Sequence, residues 1–203
     1  MPSTEEIQQY LTGVWRMMMG KADGLRLLDL SADGFWNSFF AIVVALPPLV
    51  VSWVGTTNGL ADTSAELGGK LSIVIRLALI DVSTWLVPLA LLAVVARRAG
   101  IADRFIHIVV AGNWGTALIT WLMLPGALST LLWPAASDVS AVLSLVLFGL
   151  AMALSWRLTN VAVGKGPAIA TAVFVGMFLA SLLVLVVLQQ ALGLAVTAQS
   201  PAG

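Results

Sequence analysis

Five long apolar runs, separated by short connectors, decide what this chain can fold into. A hydrocarbon core of about 30 Å takes roughly 20 residues of helix, because each residue advances about 1.5 Å and lipid offers an open backbone no hydrogen-bond partner. Runs at about 35–55, 72–96, 105–124, 139–158 and 168–192 meet that length. They are too long for barrel strands of roughly 9 to 11 residues and lack their alternation. The expected fold is therefore all-α: a polytopic membrane protein with a bundle of five transmembrane helices over 35–203, preceded by a cytoplasmic or interfacial segment over 1–34. Composition agrees, with 10% of residues charged against roughly 25% in soluble domains.

Cation placement sets the expected threading. Arg16, Lys21 and Arg26 precede the first run, Arg97, Arg98 and Arg104 lie between the second and third, and Arg157 and Lys165 lie between the fourth and fifth. Lys70 falls on the other side and Arg76 inside a run, from which its long side chain can snorkel outward. The positive-inside bias then places the N-terminus in the cytoplasm and the C-terminus outside. Trp36, Trp53, Trp133 and Trp156 fall near expected span ends, where an indole buries its ring and hydrates its N–H. Trp85 and Trp114 lie deeper and are expected to pack between helices.

The first 34 residues are too polar for a signal peptide, so no cleavage is expected. Ser3 and Glu6 have the spacing of a capping box. Ile7, Leu11, Val14 and Met18 then repeat at helical spacing, beside Gln8, Gln9, Thr12 and Arg16. Such an amphipathic helix lies in the membrane interface or docks against the bundle. Gly20 and Asp23-Gly24 break it, and Ser31-Ala32-Asp33-Gly34 opens the first span.

Several chemistries lack their residues. The chain has no cysteine and one histidine, His107, which leaves nothing for thiolate catalysis, a disulfide or a Cys- or His-rich metal site. No phosphate loop, G-x-S-x-G or H-E-x-x-H occurs. The few basic residues cluster at membrane ends, so nucleic acid is not an expected partner. No enzyme activity and no cofactor are expected; the expected partners are membrane lipids and other membrane proteins, including further copies of this chain.

Polarity inside the spans carries the functional candidates. Asp81 lies mid-span, where a carboxylate faces a partner, a protonation site or a water-filled cavity. Thr84 is about one turn away, and Pro88 removes the helical donor to its carbonyl. Pro47-Pro48 likewise frees the carbonyls of Val43 and Val44 in the first span. Asn113, within Gly112-Asn113-Trp114-Gly115, falls at a similar depth and within expected reach of Asp81. His107, near the inner boundary, is of a type that titrates near neutral pH. Pro125-Gly126 is expected to end the third span, and the stretch to Trp133-Pro134 reads as a continuation or a re-entrant piece.

Small residues at helical spacing mark candidate helix contacts: Gly149 with Ala153, and Ala172, Gly176 and Ala180 after Ala168. An intramolecular seam is the expected use, with a dimer contact as the alternative. No internal repeat is evident, and an odd span count argues against a simple two-half transporter.

Five spans, the amphipathic N-terminal region, the entry segment Leu28-Asp29-Leu30-Ser31-Ala32-Asp33-Gly34-Phe35-Trp36 and the later Ala111-Gly112-Asn113-Trp114 together resemble bacterial five-span proteins related to the Yip (Ypt-interacting protein) family. The chain looks most like the alphaproteobacterial members, which are sometimes labelled transporters. The resemblance implies the fold, and no motif carries over the small-GTPase partner of the eukaryotic relatives. Two functions stand open: a non-enzymatic scaffold or accessory subunit acting through protein or lipid contacts, and a small-solute or proton-linked transporter using Asp81 in kinked helices. A filled bundle favours the first; a polar cavity reaching Asp81 favours the second.

Overall fold

The computed structural model describes residues 1–60, 67–132 and 137–194. Among these residues there is no strand. Helix α1 spans Thr4–Met18, α2 Ala32–Asn37, α3 Ala41–Leu60, α4 Leu67–Val95, α5 Phe105–Leu132, α6 Ser137–Val163 and α7 Pro167–Ala191. Short 3-10 turns at Ala22–Leu27, Ser38–Phe40 and Ala102–Arg104 join them. The turn at Ser38–Phe40 runs α2 into α3 as one long span.

Among the described residues, five helices are long and apolar enough to cross a membrane: Ala32–Gly59, Gly68–Val95, Ala102–Leu132, Asp138–Val163 and Pro167–Ala191. At 25 to 31 residues each is longer than the roughly 20 that a bilayer core needs, so its ends reach the polar boundary. The apolar runs in the sequence underestimate the first four helices for that reason, while the fifth run matches its helix in length. The third span departs most, because α5 continues through Pro125 to Leu132 instead of stopping at Pro125-Gly126. The segment from Gly126 to Leu132 is therefore continuous helix, while Trp133 and Pro134 lie outside the described residues. Outward faces are strongly apolar, with Val94, Leu145 and Leu183 all more than half exposed, as lipid contact requires.

Helix α1 starts with the expected capping box: the Ser3 amide donates to Glu6 Oε2 at 2.6 Å and the Glu6 amide to Ser3 Oγ at 3.2 Å. These bonds hold the Glu6 carboxyl below the usual carboxylate range. A depressed value means that their stabilising effect is present at neutral pH and is lost as pH falls through that lowered value. The amphipathic face does not rest on lipid alone. Val14, Met17 and Met18 are fully buried, and Tyr10 packs its ring 5.2 Å from that of Trp114 on α5. Docking against the bundle, the alternative to a purely interfacial seat, is thus where the apolar stripe goes.

The interior is uneven along the membrane normal. At the end that carries α1, Ile101, Ile108, Ala111, Leu154 and Leu158 close around Met17 and Met18. A side chain at Gly115 on α5 would run into Leu158 of α6, so this glycine sets the approach of the two helices. Outside the same end, Lys165 donates to Asp103 Oδ1 and to the Gly100 carbonyl, both at 2.6 Å, tying the α4–α5 connector to the α6–α7 connector. Gly166, at φ +94, makes the turn into Pro167 that starts α7. Toward the opposite end, the helices part around a cavity.

Candidate functional site

The cavity measures about 670 Å³ and lies among α3, α4, α5, α6 and α7. It runs along α5 from Gly112 and Asn113 to Thr130, an exposed residue near the end of that helix. Asp81, Thr84 and Asn113 all line it. Ser52, Thr116, Thr120, Ser144 and Ser181 add hydroxyls, while Ile42, Leu49, Leu89, Ile119 and Met123 supply apolar wall. Among the described residues, Asp81 is the one titratable side chain in the lining.

Asp81 and Asn113 share this space, as their similar depth suggested, but they do not bond to each other. Each is taken by a tryptophan instead. Trp53 Nε1 donates to Asp81 Oδ2 at 2.6 Å, and Trp85 Nε1 donates to Asn113 Oδ1 at 2.9 Å. Asn113 Nδ2 then donates to Ser38 Oγ at 2.8 Å, and Ser38 Oγ to the Phe35 carbonyl at 2.7 Å. Asn113 and Ser38 are fully buried, so this chain satisfies groups that would otherwise be costly in an apolar interior. Asp81 is half-buried, and among the described residues no Lys, Arg or His bonds to it. An indole N–H can stabilise a carboxylate but cannot neutralise it.

Trp53 is a correction to the expected interfacial tryptophans. It is 7% exposed, and its N–H is spent on Asp81 instead of water. Trp36, in contrast, is 71% exposed, in keeping with a boundary position. Trp85 lies between helices and also lines the cavity, so packing and site coincide there.

The carbonyls released by proline find donors on other helices. Ser181 Oγ on α7 donates to the Thr84 carbonyl at 3.1 Å, opposite Pro88. Trp121 Nε1 on α5 donates to the Val44 carbonyl at 2.9 Å, opposite Pro48. Proline positions thus become cross-helix ties around the cavity. Replacing Ser181 with Ala should lower stability by about 0.6 to 1.5 kcal/mol, read as a shift in unfolding by denaturing detergent, since it leaves the Thr84 carbonyl unpaired. An unchanged unfolding midpoint would mean that water fills the vacancy without cost.

Arg76 reaches the far end of the bundle, where Nη1 donates to the Leu192 carbonyl at 2.9 Å and meets the negative end of the α7 dipole. His107 stays outside the cavity, and its Nδ1 is buried without a partner. The packing candidates depart from expectation. Ala172 and Gly176 are exposed, and a Cβ at Gly176 would meet nothing within 4 Å. Ala172, Gly176 and Ala180 line a second, apolar hollow between α4 and α7 instead of a closed intramolecular seam. Among the glycines of α5, α6 and α7, the closest contact is at Gly115, which with Ala111 also has the small-xxx-small spacing.

The sequence matches no family model, and neither a curated protein nor a solved structure is significantly similar to it.

Proposed function

We propose that this chain is a proton-linked small-solute transporter, in which Asp81 alternately holds a proton and the positive charge of the solute. The observation that carries the reading is the 670 Å³ cavity, lined by Asp81 as its one titratable group among the described residues and by dispersed hydroxyls. Its size falls in the range of about 300 to 1,000 Å³ usual for small-molecule sites. A carboxylate inside a membrane protein is stable when neutral or when matched by a cation. Among the described residues the lining provides no cation, so the match is proposed to come from what enters. The scaffold reading would draw its support from a filled bundle, and this bundle is open around Asp81.

Purified protein in liposomes loaded with a pH-sensitive dye tests the proposal. Under an imposed pH gradient, addition of a panel of alkali, ammonium and organic cations should produce proton movement with at least one of them, dependent on Asp81. No movement with any cation from well-folded wild type would refute it.

The proposed orientation has the N-terminus in the cytoplasm and the C-terminus in the periplasm of a bacterial inner membrane. Its support is the cation count at the α1 end. A C-terminal alkaline phosphatase fusion should be active and an N-terminal cytoplasmic fluorescent reporter bright. An inactive phosphatase fusion on stable, inserted protein would reverse the assignment. In this orientation the cavity faces the periplasmic half, and α1 with its packed neighbours closes the cytoplasmic half. Kinship with the Yip-related five-span proteins is part of the same proposal, supported by the span count and the two segments quoted above.

A further inference from the structure

The apolar hollow between α4 and α7 measures about 650 Å³ and lies nearer the α1 end than the Asp81 cavity does. Leu91, Val95, Ala172 and Gly176 are among its walls, and Gly176 leaves open space where a side chain would sit. Pro88 and Met177 line both this hollow and the Asp81 cavity, so the two spaces are divided at those side chains. Met177 is an unbranched thioether that changes rotamer at little cost, and Pro88 marks a point where α4 can bend. The polar site and the apolar recess thus adjoin at Pro88 and Met177, and the recess lies between two of the apolar spans.

We propose that the substrate is an amphipathic organic cation dissolved in the bilayer, and that it reaches Asp81 sideways, through the α4–α7 hollow and past Met177. The proposal rests on the transport reading and adds to it a substrate class and a route. Cavity chemistry favours this class over a metal ion. Hard cations take about six or more oxygen ligands, whereas this lining offers one carboxylate and scattered hydroxyls set in apolar wall. An organic cation gains from burying its apolar body against Leu49, Leu89 and Ile119 while its charge meets Asp81. Such a molecule also concentrates in the membrane, where the hollow is accessible.

Radiolabelled tetraphenylphosphonium and the protein in lipid nanodiscs provide the test, with association followed by the quenching of intrinsic tryptophan fluorescence. Wild type should bind saturably, and the Asp81→Asn variant should not. Filling the recess with Gly176→Leu or with Ala172→Leu, at two positions that line the hollow and not the Asp81 cavity, should slow association by about tenfold or more, since access falls while the Asp81 site is kept. Gly176→Leu is the safer variant for folding, because its side chain enters open space. If tetraphenylphosphonium does not bind but an alkali or small ammonium cation drives Asp81-dependent proton movement, the substrate class is wrong and transport stands. Saturable binding with wild-type association rates in both variants would overturn the lateral route. Failure of every cation in liposomes would remove the transport reading and this inference together.

Discussion

Asp81→Asn should reduce cation-driven proton movement to the background of empty liposomes while leaving the protein folded. The substitution is nearly isosteric, and the asparagine carbonyl can still accept the Trp53 Nε1–H that Asp81 Oδ2 now accepts at 2.6 Å. What it removes is the capacity to exchange a proton for a cation. Stability should change by no more than about 1 kcal/mol, because the main hydrogen bond survives and no charge is left stranded. Trp53→Phe separates structure from function in the opposite sense. It deletes the donor and keeps the carboxylate, so it should cost about 1 kcal/mol or more of stability and retain Asp81-dependent flux. Unaltered proton movement in Asp81→Asn would make the residue a packing element and move the transport reading elsewhere or nowhere.

Spans, capping box and intramembrane polar residues were legible in the sequence because each is a local consequence of residue type. Apolar length marks a span, Ser3 with Glu6 marks a helix start, and Asp81 is conspicuous wherever its helix packs. Proline offered a further local cue: Pro48 and Pro88 identify the carbonyls of Val44 and Thr84 as free. Which side chains answer them is a tertiary matter, since Trp121 and Ser181 come from helices far along the chain. The partners of Asp81 and Asn113 were hidden for the same reason. Depth estimates put the two residues at one level, but the rotation of each helix about its axis decides which neighbours they meet. Trp53 and Trp85 each lie 28 residues from the group they bond.

The small-residue stripes mark the limit of pattern reading most clearly. Ala172, Gly176 and Ala180 and the pair Ala111 and Gly115 carry the same spacing, and the sequence alone does not say which stripe faces a helix. Spacing fixes a common face, not what lies against it. The α4–α7 stripe faces a hollow, and the α5 stripe faces α6. That difference gives the two glycines opposite expected tolerances.

Gly115→Leu should be strongly destabilising, and Gly176→Leu close to neutral for folding. A Cβ at Gly115 meets the Leu158 side chain at once and comes within 3.4 Å of Met18 Cε, so a leucine has to push α6, α1 or both away. Overpacking of a tight core costs about 1 to 3 kcal/mol, and more where backbone must shift. Met18, Trp114 and Leu158 are each 5% exposed or less, which leaves the added side chain no vacancy to enter. Loss of that contact should also release α1, because Tyr10 and Met18 hold it against α5 at the same place. Limited proteolysis should then cut the N-terminal segment of the Gly115→Leu variant faster than that of wild type, along with a lower melting temperature in detergent. The double change Gly115→Leu with Leu158→Ala should recover part of the stability, since it returns volume where the clash falls. If Gly115→Leu melts with wild type, or Gly176→Leu melts with the lower value, the assignment of the two stripes is reversed.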